Sequence, residues 1–364
     1  MPTSFQADVD AVFATLAKAG ASTPGVAAQV DLTELQARGW LVPGWTQPWG
    51  TTPPLTPAEA LYLDRARLRA GLVDPDPLVA DLLGPLLIEL ASREQLERWL
   101  PETALGRLRW RLHSSLLGGE ALPFALGEGN RVMLAAPVTL WPEDAASTLP
   151  PAAPDLLAIL GRRETSGREA GGDGALLVVS RSALTDADSA AQDLSESSVE
   201  VAGQIQDLAL LKERIETLRG EADLAPRSLA AAIERLLEDA APDLEADVLA
   251  DQEIALRTLR ALEERAYGAA VDADLAGIVR LRGAELGASV ARQYLEGLGY
   301  YALADAPRRQ HNELPDAAFR AHDAVTRLIR YVGGLESVRT RDAIARRRFN
   351  LDPLLAPSEP RDSD

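Results

Sequence analysis

GWLVPGWTQPWGTTPPLTP, residues 39–57, is the stretch from which the first part of the fold can be read. Its tryptophans, glycines and prolines are typical of a loop. Thr56 followed by Pro57 marks a helix start, because threonine caps a helix N-terminus and proline fits the first turn. The stretch therefore predicts a loop that leads into a helix over residues 57–70. A second helix, over residues 5–20, is predicted before the loop from apolar residues near helical spacing.

The segment after the predicted helix at 57–70 contains a helix-breaking pair of residues and then the signal for a new helix start. Residues 76–91 are strongly apolar, and Gly84-Pro85 within them should break or kink a helix. Ser92 and Gln95 have the spacing of a capping box, in which two residues satisfy each other's backbone donors at a helix start. We therefore expect a short helix directly after Ser92.

The composition changes after Trp110, and it changes again near residue 197. Two short, apolar and β-branched runs, residues 131–141 and 174–181, predict strands in a small β-containing region. Beyond it, apolar residues recur at three- and four-residue steps, which predicts long antiparallel helices in a bundle. The predicted helices are 198–220, 226–240, 244–268, 272–299 and 315–348.

Composition and charge narrow the class of protein. The chain has 364 residues and a formal net charge of -18, which repels phosphate backbones and argues against nucleic acid as a partner. Cysteine is absent, so no thiolate nucleophile or disulfide is possible, and a reducing compartment fits. There is no apolar run of membrane-spanning length, and the amino terminus lacks a signal-peptide pattern. We expect a cytoplasmic protein that does not bind membranes.

Two common kinds of catalytic site are not supported by the residue spacing. The three histidines, His113, His311 and His322, show neither HxxxH nor HExxH spacing, so we expect no metal site. Ser114 and Ser115 lack the G-x-S-x-G setting of a serine hydrolase.

Four stretches carry a family pattern. They are GWLVPGWTQPWG at 39–50, the segment from GPLL to LP at 84–101, LRGAEL at 281–286 and YVGGLESVR at 331–339. Each stretch is short, but together they run in order along nearly the whole chain. In this order and spacing they resemble motifs of the acyl-CoA dehydrogenase family.

The resemblance implies a mainly α fold with a small β domain in three parts. These are an N-terminal helical domain at 1–110, a shortened central β domain at 111–196 and a C-terminal four-helix bundle at 197–352, with a tail at 353–364. Family members bind FAD between the β domain and the bundle. They remove an α-proton and a β-hydride from an acyl-CoA thioester, which needs a carboxylate base and a flavin.

The catalytic position departs from the family. Where many members have a glutamate base between the Tyr and Gly of the fourth motif, this chain has Val332, which cannot accept a proton. Glu336 is a weak replacement candidate, and a first-turn carboxylate facing the helix dipole is the alternative for it. If the base has moved elsewhere, Glu200 and Asp207 are further candidates.

Few of the family's flavin-contacting residues are kept in this chain. The family's flavin-contacting strand maps onto residues 110–119, where Ser115 is kept, and Trp141 is the second expected contact. Gly333 and Gly334 either let the backbone approach a pyrophosphate or form a flexible turn. Arg339 falls on the family's motif arginine and is expected to contact an FAD or CoA phosphate. The β domain is shorter than the family usually has, which argues against FAD binding by the chain alone.

Three functions follow from the resemblance and its departures. The first is a subunit of a heteromeric, FAD-dependent acyl-CoA dehydrogenase, in which an acyl-CoA dehydrogenase-like partner completes the site and the substrate is a steroid-derived or bulky acyl-CoA. The second is a free-standing dehydrogenase with a relocated base. The third is a non-enzymatic assembly or regulatory protein on the same scaffold.

Overall fold

The computed structural model describes the regions that position the candidate site. They are residues 4–20, 32–72, 76, 78–126, 132–134, 155–163, 173–180, 199–241, 244, 246–297, 341, 344 and 345. The predicted helix at 315–348 lies outside the described residues except at positions 341, 344 and 345, and the predicted tail lies outside them entirely. The chain divides into two units, one built from 1–55, 66–225 and 304–315, the other from 56–65, 226–303 and 316–364.

The first part of the chain is helical, and the helices predicted there are confirmed. A π-helix, Val79–Leu83, precedes α4, so Gly84-Pro85 marks a change of helix type. The helices are α1 (Ser4–Gly20), α2 (Thr33–Ala37), α3 (Pro57–Arg69), α4 (Gly84–Leu90) and α5 (Arg93–Ala104).

The loop at 39–57 packs on the π-helix through Trp45. In the π-helix the Gly84 N–H donates to the Val79 carbonyl, five residues earlier. In the same i to i+5 register, the donor for the Ala80 carbonyl would be the N–H of residue 85. Pro85 has no N–H, and the Trp45 indole N–H donates to the Ala80 oxygen instead, at 2.7 Å. A Cβ on Gly84 would lie 2.4 Å from the Trp45 ring, so this contact needs glycine. Two of the four family-like motifs therefore stabilise each other.

The capping box at the start of α5 is confirmed and has a second task. The Ser92 hydroxyl accepts from Gln95 N, and the Gln95 side chain accepts from Ser92 N. The same Gln95 amide also donates to the Val201 carbonyl at 2.9 Å and accepts from Gly203 N at 3.2 Å. The Gln95 side chain therefore caps the start of α5 and also bonds the backbone of β6, a strand at the end of the strand order.

The strands within the described residues form one six-stranded mixed sheet. Its strands lie in the order β3-β2-β4-β5-β6, and β1 pairs in addition with β4. β1 and β2 run parallel to β4, and the remaining pairs are antiparallel. The strands are β1 (Trp110–Leu112), β2 (Leu122–Leu126), β3 (Val132–Leu134), β4 (Leu156–Arg163), β5 (Asp173–Ser180) and β6 (Val199–Asp207).

The core of this sheet lies on the face that carries Phe124, Leu157, Ile159, Leu177 and Val179. The alternate residues of β4 and β5 are also buried, so both faces of these central strands are covered. β3 and β6 contact each other although they are the two ends of the strand order, so the sheet curls around its core.

The strand predictions are partly confirmed and one helix prediction is wrong. The run at 174–181 is β5, while only residues 132–134 of the run at 131–141 are described, as β3. The helix predicted at 198–220 is strand β6 over its first part, and only the rest is helix.

Strand β6 packs closely on the end of α4 at a glycine. Gly203 has φ +75°, and a Cβ there would lie 1.6 Å from the Leu90 carbonyl oxygen.

The later helices are confirmed where they are described. Asp207 caps α6, and three further helices pack against one another in the second unit. Gly283 of the last of these lies so close to the first that a Cβ would be 2.4 Å from Leu229. The helices are α6 (Leu208–Ala222), α7 (Leu229–Ala240), α8 (Ala246–Ala266) and α9 (Ala273–Gly297).

The fold class is therefore as predicted, mainly helical with a small mixed sheet. The domain limits at 110, 196 and 352 stay predictions, and β6 lies beyond the second of them. Among the described helices, none is both long and apolar enough to cross a membrane.

Candidate functional site

The candidate site is the turn that follows β1, residues 113–119, because the resemblance places the family's flavin-contacting strand at residues 110–119. Its position is set by a gap on one edge of β4. β1 pairs with β4 at residues 156–158, and β2 pairs with the same edge at residues 161–163. Between these two ladders, none of the strands in the described part of the chain pairs with Ile159 and Leu160 on that side.

Ser115 fills this gap with its side chain. Its hydroxyl accepts the backbone N–H of Leu160 at 2.9 Å, and the N–H of His113 donates to the Ala158 carbonyl at 2.9 Å. Ser115 is only 3% exposed. Because a buried backbone N–H without a partner is costly, the hydroxyl takes the place of a missing strand.

His113 caps the short 3-10 helix Ser114–Leu117. Its Nδ1 atom accepts from the backbone N–H of Ser115 at 3.1 Å and lies 3.0 Å from the Ser115 hydroxyl oxygen. The ring is half-buried, and burial lowers the pKa of His113 below its ordinary value because the charged form loses hydration. Two side chains of the turn are thus held by contacts within the protein.

The far end of the turn is glycine beside a cation. Gly118 has φ +100°, a left-handed conformation that favours glycine, and a Cβ on it would lie 3.1 Å from the Arg219 guanidinium. The same guanidinium is ion-paired with Glu216 at 2.7 Å. Gly118 and Gly119 are exposed, so this end of the turn presents backbone to solvent.

Two of the acids considered as relocated bases have other tasks. Asp207 caps α6, where one carboxylate oxygen accepts from Ala209 N at 2.7 Å and Leu210 N at 3.3 Å. Glu200 lies on β6 and is ion-paired with Arg98 on α5. Both carboxylates therefore serve local structure.

The remaining predicted site residues lie outside the described part of the chain. They are Trp141, Val332, Gly333, Gly334, Glu336 and Arg339. Their roles stay predictions, and so does a contact between Ser115 and a flavin. In the part of the chain that the structure describes, no group of histidines and carboxylates is placed to bind a metal ion.

A second polar centre, in the second unit, was missed from the sequence. Glu263 is 0% exposed, and its carboxylate accepts from Ala230 N at 2.7 Å, the Ser228 hydroxyl at 3.0 Å and the Arg65 guanidinium at 3.1 Å. Desolvation raises the pKa of Glu263, and these three contacts oppose that rise. Burial also raises the pKa of nearby Tyr267 to about 12.

A signal for this centre was present in the helical pattern. The buried positions of α8 include Leu256, Leu259, Glu263 and Ala266, so an acid stands on the apolar face. Because unpaired buried charges are rare, such a residue predicts a buried partner. The partner itself, Arg65 on α3, lies 198 residues away and has no sequence signal of its own.

Comparisons with known proteins agree with the family-like motifs. No family model matches the chain. A stretch of 90 residues is 32% identical to the acyl-CoA dehydrogenase FadE34 of Mycobacterium tuberculosis, which covers 25% of this chain and 12% of that protein.

Solved structures match over almost the whole chain. The Tcur3481-Tcur3483 steroid ACAD (acyl-CoA dehydrogenase) has a TM-score of 0.59 at 16% identity, covering 96% of this chain and 98% of that one. The ChsE4-ChsE5 complex from Mycobacterium tuberculosis has a TM-score of 0.58 at 17% identity, with 96% and 99% covered. A glutaryl-CoA dehydrogenase from Mycobacterium smegmatis, solved with FADH2, has a TM-score of 0.52 at 12% identity, with 96% and 95% covered. The chain therefore has the acyl-CoA dehydrogenase fold, as the four sequence motifs predicted.

Proposed function

We propose that the chain is a subunit of a heteromeric, FAD-dependent acyl-CoA dehydrogenase. It contributes structure and part of the flavin site, and an acyl-CoA dehydrogenase-like partner contributes the catalytic carboxylate. The substrate that we propose is a steroid-derived or similarly bulky acyl-CoA, and the proposed compartment is the cytoplasm.

The observation that carries this proposal is a hydrocarbon at the expected base position of a chain that has the acyl-CoA dehydrogenase fold. Val332 stands where the resemblance places the catalytic glutamate, yet the fold matches dehydrogenases over 96% of the chain. The acids Glu200 and Asp207 are engaged in an ion pair and a helix cap. Removal of an α-proton needs a base within hydrogen-bond reach of it. Glu336 remains the weak candidate within this chain, and we propose that another chain supplies the base.

The names of the matching structures support a paired arrangement. Two of them, the Tcur3481-Tcur3483 steroid ACAD and the ChsE4-ChsE5 complex, name two chains each, and the first names a steroid enzyme. This chain matches 98% and 99% of the length of those chains, which is what a subunit of such an assembly requires.

The described residues are not by themselves a complete flavin site. Of the expected contacts only Ser115 is described, and its buried hydroxyl is bound to Leu160 and His113. What the turn presents outward is the backbone of Gly118 and Gly119. When bound, FAD would supply the hydride acceptor, while the residues of this turn would shape one wall of its site.

Expression of the chain alone and with its partner tests the proposal. The partner to test is an intact acyl-CoA dehydrogenase-like chain, sought first among the genes adjacent to the one that encodes this protein. We expect the lone chain to purify without flavin absorbance and the co-expressed pair to carry FAD and to oxidise a steroid-derived acyl-CoA with an artificial electron acceptor.

Two outcomes would contradict this proposal in different ways. Stoichiometric FAD and turnover in the lone chain would show a free-standing enzyme with a relocated base. A partner that keeps its FAD and full activity without this chain would favour an assembly or regulatory protein.

A further inference from the structure

The histidine that caps the turn at 113–119 has a defined chemical form, which its neighbours reveal. We propose that His113, as a neutral imidazole with its proton on Nε2, is a positioning residue that holds this turn in place. The inference rests on the proposed function only in so far as this turn forms a wall of the flavin site.

The assignment of the proton follows from the donor that faces the ring. The Ser115 backbone N–H has its proton fixed by the peptide plane, and it points at His113 Nδ1 at 3.1 Å. Nδ1 must therefore be the acceptor, which leaves the proton of the neutral ring on Nε2. The Ser115 hydroxyl, which already accepts from Leu160, lies 3.0 Å from the same nitrogen and can donate to it.

The charged form would not fit this arrangement. An imidazolium has a proton on each nitrogen, so its Nδ1–H would meet the Ser115 N–H head on. Burial disfavours the same charged form. A ring already protonated on Nε2, with Nδ1 occupied by Ser115, also has no free lone pair with which to abstract a substrate proton. His113 is therefore excluded as a relocated base and acts through Ser115.

The consequence reaches the sheet through a short chain of contacts. His113 orients Ser115, Ser115 satisfies Leu160 N–H, and the N–H of His113 itself bonds Ala158. These contacts replace the strand pairing that is missing between β1 and β2. Loss of the histidine acceptor should thus loosen the turn and the central strand beside it.

Nitrogen NMR on the full chain tests the chemical form. The chain has three histidines, so selective labelling gives few signals, and the signals lost in His113→Asn are assigned to His113. At neutral pH we expect an unprotonated, pyridine-type Nδ1 and a protonated, pyrrole-type Nε2. A protonated Nδ1, or rapid averaging of the two tautomers, would overturn the proposal.

Three variants test the positioning role. His113→Ala removes the acceptor, whereas His113→Asn restores one, since asparagine is also a good helix cap. Glu120→Ala, at an exposed position just after the turn, is the matched control. Hydrogen exchange of the lone chain should be faster at Ser115 and Leu160 in His113→Ala, and close to wild type in His113→Asn and in the control. Unchanged exchange in His113→Ala would contradict the role.

The same variants in the co-expressed pair separate this inference from the proposed function. We expect FAD to bind about tenfold more weakly in His113→Ala, the size typical of a lost helix cap, with recovery in His113→Asn. If the wild-type pair binds no FAD, the proposed function fails while the exchange result still decides the role of His113. If the pair binds FAD equally well with His113→Ala, the positioning role in the flavin site fails alone.

Discussion

The turn at 113–119 and the centre around Glu263 both bury a polar side chain completely, but at very different electrostatic cost. Ser115 is neutral, and its hydroxyl is hydrogen-bonded to the backbone N–H of Leu160 and to the ring of His113. Glu263 has three donors, yet its pKa is still raised, because desolvation outweighs them. A hydroxyl can thus replace a strand neighbour cheaply, whereas a buried carboxylate stays dependent on every partner.

The largest effect is expected when the buried carboxylate is removed. Glu263→Ala would leave the Ser228 hydroxyl and the Ala230 N–H without their acceptor, and it would take the buried carboxylate from Arg65, which also pairs with the exposed Glu264. We expect the free energy of unfolding to fall by about 3–5 kcal/mol in urea titrations. Glu264→Ala is the control, because Glu264 also pairs with Arg65 but is 65% exposed, and it should cost at most about 1 kcal/mol. Equal losses in the two variants would contradict the comparison.

A smaller loss is expected at the turn. Ser115→Ala leaves the buried Leu160 N–H without an acceptor, and we expect the free energy of unfolding to fall by about 1–3 kcal/mol. Ser114→Ala is the matched control, since Ser114 is only half-buried and its hydroxyl makes no hydrogen bond to another described residue. A loss at Ser115 as large as that at Glu263 would show that the charge difference between the two sites is unimportant.

The pH dependence of stability sharpens the same comparison. The folded-state pKa of Glu263 is raised, so the native state holds this proton more tightly than the unfolded chain does. Its contribution is fully present below the unfolded-state pKa and is lost as the pH rises through the folded-state pKa. The stability of the wild type minus that of Glu263→Gln should therefore decrease with rising pH in this window. A difference that stays constant or increases would contradict the prediction.

Local signals in the sequence predicted many of the elements. The capping box at Ser92 and Gln95, the break at Gly84-Pro85 and the helix start at Thr56 all depend on residues within one or two turns. The capping box and the helix start are found where they were expected, whereas at Gly84-Pro85 the helix continues and changes from π to α. The resemblance to the acyl-CoA dehydrogenases used the same local motifs, and the fold agrees with it.

Predictions failed or were missing where two periodicities overlap or where a residue's partner is distant. Val201, Ile205 and Leu208 follow helical steps, but residues 199–207 pair with β5 as a strand. β4 was not predicted at all, although it is central to the sheet. Neither error could be avoided from the residues of the segment alone, because strand pairing depends on neighbouring strands that are distant in the sequence.

The sequence by itself determined the helix starts, the loop at 39–57, the family-like motifs and the hydrocarbon at position 332. Only the tertiary structure decided that Ser115 completes the edge of β4, 45 residues away, and that Glu263 meets Arg65 across 198 residues. The reason is physical. Helix caps and periodic faces depend on near neighbours, whereas the hydration lost by a buried polar group, and the donors that replace it, depend on chain segments brought together by folding.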